Sequence, residues 1–303
     1  MLCEVTCNNI CVHHNINNMG LRIGIGIGFS KYTPPPKVKF DLLENGLDFI
    51  TEAIETINAS INHKKLKYAL IHLCSGVELI FKEILRNKDW RLIFQDPKDA
   101  NEELLQSGNF ESVSFKRAII RLESNCNVKF SIEDNKILED FKNKRNKIEH
   151  FKVDEQVSTI KGISSKVLII IIQLIHQKIE IEQVSHLSKK YINNLPKELS
   201  KFNIYVAERM ATIKPKQDEN ILKGLTLIKC PNCYQTTFFI DSKLKCLFCN
   251  YTNTPDIIAS EICRVNYGDN TLIPLVCNKC SSTTVIRTET NSICIRCRTI
   301  TYN

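Results

Sequence analysis

Glycine and proline are scarce in this chain of 303 residues, at 10 and 9, and there is a single tryptophan. So few turn-formers exclude collagen-like and low-complexity architectures. Long apolar runs are missing as well. The longest, residues 167–172, stops at Gln173, far short of the roughly 18–20 residues that a membrane-spanning helix requires. Nor is there an excess of acid: 41 Lys+Arg stand against 33 Asp+Glu, a formal charge of +8. With 43% hydrophobic residues, the chain reads as an ordinary globular protein of two or three domains, at about 100–200 residues each.

Residues 1–37 read as an N-terminal extension. Arg22 precedes Ile23-Gly24-Ile25-Gly26-Ile27-Gly28-Phe29, but no small-residue cleavage pattern follows, and the expected location is cytoplasmic. The glycines do not match the dinucleotide fingerprint: the third comes one residue early, and Pro34-Pro35-Pro36 stands where the phosphate-binding helix should begin. Cys3, Cys7 and Cys11, with His13 and His14, fit no standard metal spacing, and Met19 is an alternative start.

Helical periodicity follows. Leu43, Leu47, Ile50, Ile54, Ile57 and Ile61 recur at steps of three and four, and Leu66, Leu70, Leu73, Val77, Ile80 and Ile84 repeat the pattern. A shorter helix is expected over 114–122. Ser131, with acids in the next turn, caps a fourth helix ending near His150, and an apolar fifth spans 164–181. These make an all-α helical bundle over 38–185. Residues 186–220, with Pro196 and the polar stretch 214–220, read as a linker.

Cysteine is abundant: 14 in all, nine of them between Cys230 and Cys297. Cys230-Pro231-Asn232-Cys233 is followed after twelve residues by Cys246-Leu247-Phe248-Cys249, and Cys277-Asn278-Lys279-Cys280 after thirteen by Cys294-Ile295-Arg296-Cys297. Two residues between cysteines let one turn aim both sulfurs at a single ion, and a hairpin returns the second pair to close a tetrahedron. Both first pairs are followed two residues later by Thr-Thr, at Thr236-Thr237 and Thr283-Thr284. The reading is a β-rich tail of two ribbons, 221–254 and 270–303, each holding one structural Zn2+; rubredoxin-like iron and disulfides are the alternatives. Four thiolates leave no open coordination position, so metal catalysis is not expected there. From residue 221 onward nine basic and five acidic side chains, with eight thiolates around two divalent ions, leave the tail close to neutral. Arg296 and Arg298, with Tyr302 for stacking, are its candidate RNA contacts. Cys263 has no partner in this pattern.

On the fourth helix, Lys142-Asn143-Lys144-Arg145-Asn146-Lys147-Ile148-Glu149-His150-Phe151 is dense in charge. Its bland reading is a solvated basic face with His150 at a helix C-terminus. That run, together with Ser75-Gly76-Val77-Glu78-Leu79-Ile80-Phe81-Lys82, resembles the HEPN superfamily of bacterial and archaeal helical bundles, many of them similar to RNA-cleaving toxins or phage-defence (abortive infection) effectors. The resemblance covers residues 38–181. It implies an antiparallel bundle that pairs so that two motifs share one cleft, metal-independent RNA cleavage, and Arg145, Asn146 and His150 as the catalytic set.

The chemistry agrees with these side chains. An imidazole exchanges protons near neutrality, and a guanidinium matches phosphate. Asn146 and His150 share one helix face, whereas Arg145 lies about 140° round from His150, so both reach one phosphate only if the helix frays at its end or a second subunit contributes, a geometry that favours a dimeric site. Lys142, Lys144 and Lys147 are candidate RNA contacts. Glu78 is a candidate support or, with Lys82 four residues on, half of a surface ion pair; His72 and His176 are expected in the core, and His63 and His186 in solvent. The expected partners are RNA, a second copy, and a neutralising or regulatory protein, with no membrane. The alternatives are a non-catalytic HEPN-like RNA- or protein-binding adaptor, and a zinc-ribbon DNA regulator, which the lack of an obvious recognition helix disfavours.

Overall fold

The computed structural model describes residues 37–59, 62–267, 273–288 and 291–302. The extension with Cys3, Cys7, Cys11, His13, His14, Met19 and the Gly/Ile stretch lies outside them.

The chain is mostly helical, with two four-cysteine clusters and small antiparallel sheets at its C-terminal end. Helix α1 (Leu42–Ala59) lies along α2 (His63–Lys88), which is capped by the Asn62 side chain accepting from Lys64 N. The two helices approach closely at glycine: a Cβ on Gly76 would sit 2.7 Å from Ile50 Cγ1 and 2.8 Å from the Gly46 carbonyl oxygen. Two 3-10 turns and α3 (Glu102–Ser107) lead to α4 (Phe115–Asn125). Arg121 on α4 donates to the carbonyls of Leu92, Phe94 and Gln95, pinning that connection down. Helix α5 (Ile132–His150) starts with a full capping box, in which Ser131 and Asp134 each accept the other's backbone N–H.

Helix α6 (Val157–Lys178) starts seven residues before the sequence expectation and packs against α2, α5 and α8 (Asn203–Leu222). By length and composition it is the one described helix apolar enough to cross a membrane, but more than half of it is buried against these neighbours, as a core helix is. The main core runs from Leu47 and Ile50 through Leu70, Val77 and Phe81 to Leu138, Phe141, Leu168 and Ile171.

The expected linker is not a linker. Residues 186–220 form α7 (His186–Leu199), which packs on α1, and α8. Helix α7 buries Ser188, Ile192, Leu195 and Leu199, a helical spacing; Pro196 lies in its last turn, where it interrupts little. Helix α8 carries Pro215 in its interior, and its buried residues are Tyr205, Arg209, Ile213, Gln217 and Asn220.

Beyond α8, strand β1 (Leu227–Lys229) pairs antiparallel with β2 (Thr236–Phe239). Helix α9 (Pro255–Tyr267), absent from the sequence reading, packs on β4 (Thr283–Arg287). Strand β4 lies in a four-stranded antiparallel sheet between β3 (Leu275–Val276) and β5 (Asn291–Cys294), with β6 (Ile300–Tyr302) at the far edge. The strands expected around 236–240 and 283–287 are therefore β2 and β4.

Candidate functional site

The four Cys-x2-Cys turns are built alike. The residue after each pair, Tyr234, Asn250, Ser281 and Arg298, has a positive φ of 56–62°. Its N–H donates to the carbonyl of the pair's first cysteine at 2.8–3.0 Å. The N–H of that first cysteine in turn donates to the carbonyl five residues on, at Gln235, Tyr251, Ser282 and Thr299. The chain thus closes on itself twice around each pair of sulfurs.

Those turns bring Cys230, Cys233, Cys246 and Cys249 together in one group and Cys277, Cys280, Cys294 and Cys297 in another. Sulfur separations of 3.7 and 3.8 Å in the first and 3.6 Å in the second match the roughly 3.8 Å edge of a tetrahedron with metal–sulfur bonds of ~2.3 Å. They are far from the ~2.05 Å of a disulfide, and no described cysteine is in one. The donor set therefore fits a tetrahedral, sulfur-ligated ion in both places.

The repeated Thr-Thr has a specific use. The second threonine of each pair is fully buried, and its hydroxyl lies 3.1 Å (Thr237 to Cys246) or 3.2 Å (Thr284 to Cys294) from the sulfur of the third cysteine. In both sites this thiol is held below its usual range. For Cys294, burial opposes the shift, but the Cys297 N–H and the Thr284 hydroxyl lower it to about 6; for Cys246, burial is outweighed by its fellow cysteines and Thr237.

The two sites differ in setting. All four ligands of the first are buried, while Cys280 and Cys297 of the second are half-exposed. The first is also clamped to the helices. Arg209 donates from Nε to the Phe248 carbonyl at 3.2 Å and from Nη2 to the Leu247 carbonyl at 3.0 Å, and Gln217 donates to the Thr236 carbonyl at 3.2 Å. Tyr205 meets Phe248 edge-to-face. His176 lines the same junction, with its pKa lowered to about 4 by burial and by Lys245 and Arg209. Cys263 is buried on α9 and joins neither cluster.

At the other site, α5 carries Arg145, Asn146 and His150 as expected, and its last turn is regular, with Phe151 N–H donating to the Lys147 carbonyl. Arg145 Nη1 pairs with Glu149 Oε2 at 2.8 Å and donates to Asn146 Oδ1 at 3.2 Å, while Arg145 Nε is buried without a partner. The His150 side chain is 73% exposed, and its Nε2 lies 3.8 Å from the same Glu149 oxygen. Glu149, read from sequence only as a spacer in the motif, is thus central here; its position four residues after Arg145 was the available signal.

Glu78 lies on α2, four residues after Cys74. Its Oε1 is 4.0 Å from the Cys74 sulfur, and burial followed by the Glu78 charge pushes that thiol up to about 12, with Arg145 and Lys142 opposing. Of the candidate RNA contacts, Lys147 is exposed, Lys144 pairs with Glu155 at 2.9 Å, and Lys142 is half-buried in a groove between α4 and α5 with Asn143 and Glu139. Arg296 pairs with Asp256 at 2.7 Å, and Arg298 serves as a left-handed turn residue. The Tyr302 side chain lies outside the described residues. His72 is half-buried beside Phe49, with rings 5.7 Å apart, and His63 and His186 are exposed. No protein-family model, characterised protein or solved structure matches the chain.

Proposed function

We propose that the chain is a HEPN-type, metal-independent endoribonuclease of the cytoplasm, of the toxin or phage-defence kind, working as a homodimer. In this reading its two zinc ribbons dock RNA or a regulatory protein. The observation that carries it is the convergence of Arg145, Asn146 and His150 at the exposed end of one helix, with Arg145 Nη1 and His150 Nε2 both within 4 Å of a single oxygen. Phe151 at 82% exposure and Val153 at 45% flank this end, apolar surface suited to a second copy.

The reaction draws on these residues in both copies. His150 accepts the proton of a ribose 2′-OH as that oxygen attacks the adjacent phosphorus. Arg145 stabilises the charge on the phosphorane, and Asn146 orients the phosphate or the imidazole. The P–O5′ bond breaks, and the departing oxygen takes a proton from the imidazolium of the second copy. The products are a 2′,3′-cyclic phosphate and a 5′-hydroxyl. Zinc, when bound, supplies folding energy to the ribbons and no step of the reaction.

The test is cleavage of total cellular RNA with end mapping, comparing wild type, Arg145→Ala and His150→Ala. Each substitution should lower cleavage by at least ~10²-fold, the usual worth of a positioned acid–base group. Cleavage that persists in both variants dismisses the assignment, and RNA left intact by the wild type supports the adaptor.

A further inference from the structure

Glu149 lies between the two residues on which that proposed reaction depends. One oxygen, Oε2, is 2.8 Å from Arg145 Nη1 and 3.8 Å from His150 Nε2. Arg145 and His150 are about 140° apart on an ideal helix, yet both side chains reach this oxygen without fraying of α5. The Arg145 and Glu149 side chains are 27% and 23% exposed while Glu149 as a whole residue is exposed, so the pair sits at the surface, where salt screens it in part. A carboxylate and a phosphodiester offer a guanidinium the same chemistry: anionic oxygens that accept its fork of N–H groups.

We infer that Glu149 occupies the phosphate position of the resting protein, so that a nucleic-acid phosphodiester must displace an internal anion before it meets Arg145 and His150. The inference rests on the proposed reading of those two residues and makes Glu149 a positioning residue that sets affinity and threshold. Glu149→Gln keeps the shape and removes the competing charge. Its consequence is a site that takes phosphate more readily.

Binding is read by fluorescence anisotropy with a labelled, fully 2′-O-methylated single-stranded RNA, which cannot be cleaved through a 2′-OH, titrated with the full-length protein at several salt concentrations. Relative to wild type, Glu149→Gln should bind about tenfold tighter, ~1.4 kcal/mol. Its log–log salt dependence should steepen by ~0.7, the value of one added phosphate contact on a single strand. Arg145→Ala combined with Glu149→Gln should lose the gain. Asp218→Asn, which removes one charge from an exposed Lys214–Asp218 pair on α8, should bind as wild type. Equal affinity in Glu149→Gln and wild type, absence of binding in both, or an equal gain in Asp218→Asn overturns the inference. If Glu149→Gln binds tighter in this way while unmodified RNA stays intact, the anion site stands and only the ribonuclease reading fails.

Discussion

Thr237 and Thr284 occupy equivalent places in the two ribbons, each with its hydroxyl about 3 Å from the sulfur of the third cysteine. A hydroxyl donated to a thiolate favours the charged, metal-binding form, and losing such a neighbour typically weakens metal affinity about 10–100-fold. Thr237→Val and Thr284→Val should each weaken one of two zinc equivalents by that factor in competition with a chromophoric chelator, while Thr236→Val and Thr283→Val, at exposed positions, should not. The sequence made the Thr-Thr repeat visible, but two adjacent strand residues face opposite ways, and only the structure identifies which one faces the four sulfurs. Arg298 carries a similar lesson. Its charge suggested RNA, whereas its φ of 62° gives it a backbone duty as a left-handed turn residue. Glu149 was legible only in part: its place four residues after Arg145 signalled an ion pair, but nothing in a basic run shows that His150 lies near the same oxygen.

Among the elements, α1 and α2 are joined as closely as they are because Gly76 has no side chain. A methyl there would collide with the Gly46 carbonyl and Ile50, and backbone cannot yield as a side-chain tip does. Gly76→Ala should therefore destabilise the protein by about 1–3 kcal/mol, despite the better helix propensity of alanine. Chemical denaturation should reveal this as a lower midpoint, with Ser75→Ala nearly neutral. The helices that bury aliphatic stripes were legible: α1, α2 and α5 fall close to where periodicity put them. Helix α8 was not, since Arg209, Gln217 and Asn220 form an inner face that looks solvated. They turn inward because part of what lies there is the backbone of a ribbon, whose carbonyls need donors. Helix α9 was hidden in the spacer between two cysteine patterns, where attention to ligand spacing gave no cue.

For the molecule as a whole, the two four-cysteine sites have unequal duties. The first is buried and bonded to α8 through Arg209 and Gln217, and its Phe248 packs on Tyr205. The second has two half-exposed ligands. Cys249→Ser should lower the melting temperature of the helical body and raise amide exchange in α6 and α8, whereas Cys297→Ser should confine its effects to β3–β6 and α9. Equal effects on the helices would show that the first ribbon is no more coupled to them than the second. Arg209 also imposes an order on the making of the protein. The carbonyls it serves lie 38 and 39 residues further along the chain, about 2–8 s later at a synthesis rate of 5–20 residues per second. During that interval Arg209 on α8 has neither of its acceptors, so the inner face of α8 stays unfinished until the ribosome delivers Leu247 and Phe248.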